Sequence, residues 1–283
     1  MSANGTVAVF AKPVVSETAK DRACLKHAAN FEKAGRSNTM KPSIAVVTAT
    51  LNAAKVLPTL ISSLRSQTDR QFDYLVIDGG SRDGTQDVIA AARDIVTYTF
   101  SQLDHGVYDA LNRAIRGIEA DYYLVAGADD QLAPDAIANF KAVAEETGAD
   151  VVIANVKAGN RVLSGYRPKR RWHSPASMCT SHSVGTLLRT KLHDRFGPYS
   201  WRYPLIADSY YLKHLFLDPD VKVTTGDFVA GEFATNGMSN INRIRAICET
   251  WWVQRETDEN PLVQFLLFQL RLLKALPTVI SRR

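Results

Sequence analysis

The sequence predicts an α/β fold with a mostly parallel central sheet flanked by helices, plus a C-terminal helical segment. Three observations carry this. From Pro42 onward short apolar runs alternate with stretches of helical spacing, the intervals between them are short, and polar residues gather just past the apolar runs. In sheets built this way ligands collect at the carboxyl ends of the strands.

The elements follow in order. Residues 44–48 form a buried-strand run, and 56–64 place Val56, Leu57, Leu60, Ile61 and Leu64 at helical spacing. A second strand over 74–77 ends at Asp78, and a glycine-rich turn leads into a helix over 86–93. A third strand near 95–100, a helix near 107–118 and a fourth strand over 122–125 come next. Pro134 opens an amphipathic helix over 135–146, and 151–153 reads as another strand. The stretch 156–204 scatters Gly, Pro, Arg and His without a period. A helix over 207–217, strands over 221–224 and 227–229, and helical spacing beyond Asn240 complete the reading.

Charge divides unevenly. The 283 residues carry a formal +5, with 46% hydrophobic and 22% charged residues, which excludes wholesale disorder. Residues 1–40 hold six basic against three acidic side chains, and residues 240–283 hold seven against four. The middle, 41–239, is therefore nearly neutral, which argues against nucleic-acid binding. Cys24, Cys179 and Cys248 are widely spaced and form no C-x-x-C pair, as expected of a reduced, cytoplasmic setting. No signal peptide is expected at the N-terminus, and no run of about 18 apolar residues suggests a spanning helix.

Candidate functional residues stand past each strand. Asp129-Asp130 follows a strand and the small residues Ala126-Gly127-Ala128, a setting that suits a hard divalent cation bridging phosphates. A solvated turn with Asp130 as a helix cap is the bland alternative. Asp78 can accept from a base N–H or a ribose hydroxyl, whereas Asp83 and Thr85 could simply cap a helix. Asp109 and Asn112 share a face near a helix N-terminus, and Arg113 stands one turn beyond Asp109.

Together, Ala49-Thr50-Leu51-Asn52, the segment from Val76 to Thr85, the segment from Gly106 to Asn112 and Gly127-Ala128-Asp129-Asp130 resemble the family-2 glycosyltransferases, inverting sugar transferases of the GT-A fold. The order and spacing match over 43–135, with a weaker resemblance to about 240. The resemblance implies a catalytic domain over 41–239, with a nucleotide-sugar half (41–135) and an acceptor half (136–239). It is preceded by a tail over 1–40 that is poorly ordered or holds one short helix. It further implies a nucleotide-diphosphate-sugar donor, a UDP-sugar as first reading, and a glycan or lipid-linked acceptor in surface polysaccharide synthesis. Thr50, Asn52, Asp78, Asp83, Asp109, Asn112 and Asp129 would belong to the donor site. Asp130, with Asp129 nearer the ribose, would hold Mn²⁺ or Mg²⁺, although Ala128 supplies no third carboxylate. Asp208 would be the catalytic base, Asn236-Gly237-Met238-Ser239 a closing element, and His182 a neighbour of the acceptor.

A sugar nucleotidyltransferase would want a glycine-rich phosphate loop after the first strand, where only Thr50, Asn52 and Lys55 stand. A non-catalytic relative that binds nucleotide-sugar or membrane would not need both Asp130 and Asp208. The basic run from Arg167 to His173, with Arg170 and Arg171 at its centre, reads as a solvated loop, or as a contact with the phosphates of a lipid-linked acceptor or with an anionic membrane surface. Residues 262–276 hold 11 apolar side chains in 15, while Gln264, Arg271, Lys274, Thr278 and Arg282 share one arc. Packing on the domain, a homodimer, or peripheral contact of 262–283 with the cytoplasmic face of the inner membrane would each occupy such a helix.

Overall fold

The computed structural model describes residues 42–170, 172–179, 183–233, 242–257 and 259–280. The tail over 1–40, Arg171, His182, residues 236–239 and Arg282-Arg283 lie outside the described residues.

Nine strands form one sheet among the described residues. They are β1 (Ile44–Thr50), β2 (Phe72–Asp78), β3 (Tyr98–Ser101), β4 (Tyr122–Val125), β5 (Gln131–Leu132), β6 (Val151–Ala158), β7 (Arg161–Leu163), β8 (Thr186–Arg189) and β9 (Val223–Glu232). Their order is β3-β2-β1-β4-β8-β6-β9-β5, with β7 beside β6. The helices are α1 (Leu57–Arg65), α2 (Thr85–Ala90), α3 (Val107–Arg116), α4 (Ala136–Thr147), α5 (Leu192–Phe196), α6 (Ala207–Leu217), α7 (Arg243–Glu256) and α8 (Pro261–Ile280).

The parallel expectation holds across β3, β2, β1 and β4, whose pairings are all parallel. Beyond β4 it gives way: β8 runs antiparallel to both β4 and β6, and only the β6–β9 pairing is parallel. The cause is the connection. A parallel neighbour needs a crossover, usually a helix, whereas between β6 and β8 the chain makes the β7 hairpin and short 3₁₀ turns such as Pro175–Ser177. The two short strands expected over 221–229 form the single strand β9, whose register against β6 shifts around Asn155.

Alternation along the strands fills both sides of the sheet. Ile44, Val46, Tyr74, Val76 and Leu124 point to the layer of α1 and α4, packing with Leu57, Leu60, Leu64, Ile137 and Phe140. Ala45, Val47, Leu75, Ile77 and Tyr123 point to the other layer, with Leu111, Ile115, Tyr211 and Leu215 of α3 and α6. Strands buried on both faces read as unbroken apolar runs, which is why β1, β2 and β4 are plain in the sequence.

The C-terminal helices belong to the same compact unit as the sheet. The fully buried Lys213 of α6 donates to Gln254 Oε1 of α7 at 2.5 Å and to Glu259 at 3.1 Å. Glu249 of α7 accepts from the Leu205 amide at 3.0 Å, three residues before Asp208.

Behind α3 lies a polar cluster within the second core. His193 Nδ1 stands 2.8 Å from the Gly197 carbonyl, so Nδ1 carries the proton and Nε2 accepts from the Tyr123 hydroxyl at 2.7 Å. Tyr123 also meets the Tyr199 hydroxyl at 2.9 Å, and the imidazole stacks on Tyr211 at 4.6 Å. Burial lowers the His193 pKa below its ordinary 6.5, and burial likewise lowers His214 and His173. The unfolded chain then binds more protons than the folded one below about pH 6.5, so stability is full above that pH and falls as pH drops through the folded values. The melting temperature should therefore decline from pH 7 to pH 5. In His193→Asn the decline should be shallower, and an unchanged slope would show that His193 is not among the titrating groups.

Candidate active site

β1, β2, β3 and β4 all end on the same side, in register: Thr50 stands beside Asp78, and Asp78 beside Ser101. Asp78 is fully buried there. Its Oδ2 accepts from the Gly80 and Ser81 amides, Gln86 Nε2 and Ser101 Oγ, and its Oδ1 from Thr50 Oγ1 and Ser81 Oγ. Burial pushes this carboxyl upward, but the hydrogen bonds from Ser81, Ser101 and Gln86 outweigh it and hold the pKa below the ordinary range. Six donors on one carboxylate leave it nothing for a ligand. Asp78 is thus the anchor of the loop after β2.

A second set of bonds joins that loop to the one after β1. Asn52, at φ 52°, accepts from the Arg82 amide at 3.0 Å, and its own amide donates to Ser81 Oγ at 2.7 Å. Asp83 accepts from the Ala54 amide and from Thr85, and Thr85 Oγ1 accepts from the Ala53 amide. The Thr85 hydrogen bond above all holds the exposed Asp83 carboxyl below its ordinary pKa. Gly84, not Asp83, is the N-cap of α2, and its φ of 93° suits glycine.

Asp104 bridges this loop pair to α3. A Cβ on Gly79 would stand 2.6 Å from Asp104 Oδ2 and would push that side chain aside, while Asp104 Oδ1 accepts from the Gly106 amide. In the first turn of α3, Asp109 is buried and accepts from the His105 amide at 3.1 Å and from Arg113 at 2.8 Å. Asn112 is buried too. Its amide donates to the Tyr199 carbonyl at 2.9 Å and accepts from the Tyr199 amide at 2.8 Å, binding α3 to the loop before α6.

Past β4, Asp129 is exposed and Asp130 is buried. Asp130 Oδ2 accepts from the Gly127 amide at 2.7 Å, and α4 begins only at Ala136, so Asp130 does not cap it. A Cβ on Gly127 would stand 3.0 Å from Asp130 Oδ2 and 3.1 Å from Asp129 Oδ1. Two carboxylate oxygens thus converge on one bare backbone position. Among the described residues no cluster of three or more His, Cys, Asp or Glu side chains could hold a metal. The donor set fits a hard divalent cation that draws most of its ligands from phosphate oxygens and water.

Asp208, in the first turn of α6, is half-buried. Its Oδ1 accepts from Tyr108 of α3 at 2.8 Å and from the Ser209 amide at 2.7 Å. Oδ2 has no partner among the described residues. Burial, then the Asp208 charge, raises the Tyr108 phenol well above its ordinary value, so it stays a donor.

Seven residues were expected at the donor site. Asn52, Asp83 and Asp129 are exposed at this strand end, whereas Thr50, Asp78, Asp109 and Asn112 lie buried behind it and bond to the chain itself. Tyr108, which carries no part in the sequence reading, sits inside the segment 106–112 and reaches Asp208 of α6. A cavity of about 550 Å³ opens elsewhere, around Arg116, Asp121, Arg189 and Lys191 near the amino end of β4.

Against known proteins, the profile of glycosyl transferase family 2 matches residues 45–207. A PGL/p-HBAD biosynthesis glycosyltransferase of Mycobacterium tuberculosis is 31% identical over 185 residues, covering 63% of this chain and 71% of the relative. Among solved structures, TarS of S. aureus in complex with UDP-GlcNAc aligns with a TM-score of 0.58 at 16% identity, covering 81% of this chain and 71% of that one. A mannosyltransferase from Pyrobaculum calidifontis in complex with GDP-Man and Mn²⁺ aligns with a TM-score of 0.59 at 18% identity, covering 93% and 82%. At such identities the structural likeness speaks for the fold alone, which is the GT-A-like fold.

Proposed function

The chain belongs to glycosyl transferase family 2, and we propose that it moves a sugar from a nucleotide-diphosphate sugar onto a hydroxyl of a glycan or lipid-linked acceptor, with inversion at the anomeric carbon. One observation carries this reading above the rest: Tyr108 of α3, the helix that starts beside the loops carrying Asn52 and Asp83, holds Asp208 through Oδ1, and Oδ2 has no partner among the described residues. Asp208 takes the proton of the acceptor hydroxyl as that oxygen attacks the anomeric carbon from the face opposite the departing diphosphate. A single displacement needs no covalent intermediate.

In this reading Asn52 and Asp83 meet the nucleoside, Asp129 and Asp130 hold a Mn²⁺ or Mg²⁺, and Thr50, Asp78, Asp109 and Asn112 fix the loops that do so. The cation, when bound, offsets the charge that gathers on the leaving diphosphate. Neighbours in complex with UDP-GlcNAc and with GDP-Man support a nucleoside diphosphate donor, and a UDP-sugar remains the first candidate. Surface polysaccharide synthesis on the cytoplasmic side of the membrane is the setting proposed.

A thermal-shift panel of UDP, GDP, CMP and dTDP, each with and without Mn²⁺, tests the donor site. A ligand present at 100 times its Kd stabilises the native state by about 2.7 kcal/mol, enough to move the melting temperature by several degrees. UDP with Mn²⁺ should give the largest shift. No shift with any nucleotide and metal would remove the donor assignment.

A further inference from the structure

The last helix turns two polar side chains toward its own domain and leaves a run of large apolar ones exposed. α8 spans 20 residues, about 30 Å. Two of its polar side chains face inward: Gln264 is 1% exposed and donates to the Trp172 carbonyl at 2.5 Å, and Arg271 donates to the His173 carbonyl. Leu267, Phe268 and Leu272 are half-buried and Ala275 is buried beside them, whereas most of the leucines face outward. Leu262, Leu266, Leu270, Leu273 and Leu276 are all exposed, Leu266 at 63% and Leu273 at 62%. A helix in water buries its apolar stripe and wets the polar one. Here Gln264 and Arg271 serve as the attachment and the apolar stripe is offered outward.

The surroundings continue that face. Phe265 is exposed beside Trp252 of α7, and with Cys248, Trp251 and Phe268 they line an apolar groove of about 240 Å³ between the two helices. Trp172, whose carbonyl is one of the attachment points, is half exposed. Arg170, Arg271 and Lys274 all stand near His173, and burial together with these cations lowers that imidazole's pKa. Residues 261–280 contain no acidic side chain.

We propose that the outer face of α8, with Trp252, Trp172 and the cations Arg170 and Lys274, docks on an anionic lipid bilayer, lying in its interface without crossing it. Charge selects this occupant. A second copy of the chain would bring the same cations against themselves, whereas anionic headgroups complement them, and leucine, phenylalanine and tryptophan are the side chains that enter the headgroup boundary. No helix among the described residues is long and apolar enough to cross a membrane. The docking also bears on the acceptor, a point that rests on the function proposed above: Glu249 of α7 holds the Leu205 amide, so the helix packed against α8 also braces the loop that leads to Asp208.

Flotation of the full chain with vesicles tests this. Vesicles of mixed phosphatidylglycerol and phosphatidylcholine should carry the protein, and pure phosphatidylcholine should bind at least tenfold less. Leu266→Ser, Leu270→Ser and Leu273→Ser combined should abolish flotation, and Arg170→Glu with Lys274→Glu should remove the preference for anionic lipid. The melting temperature of each variant and its shift with nucleotide are read in parallel, so that loss of docking is separated from unfolding and from failure of the donor site. Two results would overturn the proposal: wild-type protein that stays with the vesicle-free fraction, or a dimer in sedimentation velocity that the triple leucine variant dissolves, which would assign the face to a second copy.

Discussion

Asp208→Asn should lower kcat for sugar transfer by about 10²–10⁴-fold, the usual contribution of a positioned general base, while leaving nucleotide binding and melting temperature unchanged. The substitution is nearly isosteric. Its carbonyl oxygen can still accept from Tyr108 and from the Ser209 amide, the two bonds that hold the side chain now. What it loses is the capacity to take a proton at the position of Oδ2. Steady-state rates with a nucleotide-sugar donor, paired with a nucleotide titration, would check both halves, and retained transfer would place the base elsewhere.

Tyr108→Phe separates positioning from chemistry at the same site. Without the phenol Oδ1 keeps only the Ser209 amide, and the carboxylate is free to turn about its side-chain torsions. Small errors of this kind can cost up to about 10²-fold in rate. A fall of about tenfold or more in kcat with KM unchanged is expected. A change confined to melting temperature would make Tyr108 merely a packing residue.

How much of this was legible beforehand depends on what each signal encodes. β1, β2 and β4 are written as apolar runs because both of their faces are covered, and the segments that follow them carry their polar residues within a few positions. β8 is four residues long and follows a stretch without period, so nothing local marks it. Its place between β4 and β6 comes from pairing with residues some 35 to 65 positions away, which periodicity cannot report. β9 reads as two strands because Thr225-Gly226 interrupts the apolar pattern.

The site divides on the same ground. Residue type and spacing pick out Asp78, Asp109 and Asn112 as polar residues that do not belong in a core, and they mark places that matter. Whether such a residue faces a ligand or its own backbone is decided by burial. Asn112 spends its amide on Tyr199, 87 positions away. Tyr108 passes for an ordinary aromatic until α6 brings Asp208 against it, 100 positions later. The same limit applies to α8: the arc of Gln264, Arg271 and Lys274 establishes amphipathicity, but not which side is turned to the protein.

Asp129→Asn and Asp130→Asn should each remove the metal-dependent part of nucleotide binding, and their effects on stability should differ. Asp129 is exposed with its oxygen beside Gly127, so Asp129→Asn should change stability by no more than about 0.5 kcal/mol. Asp130 is 1% exposed and accepts from the Gly127 amide through a charge-assisted bond, so Asp130→Asn weakens a contact that orders the segment after β4 and should lower the melting temperature as well. With only two carboxylates to offer among the described residues, neither can be spared by a cation that takes its remaining ligands from phosphate and water. In the presence of Mn²⁺ each variant should bind UDP at least tenfold more weakly than wild type, about 1.4 kcal/mol, and in EDTA all three proteins should bind it alike. Transfer should fall with the metal-dependent affinity. Calorimetric titration in the two buffers makes the comparison, and equal affinity of the wild type with and without Mn²⁺ would remove the metal from this pair.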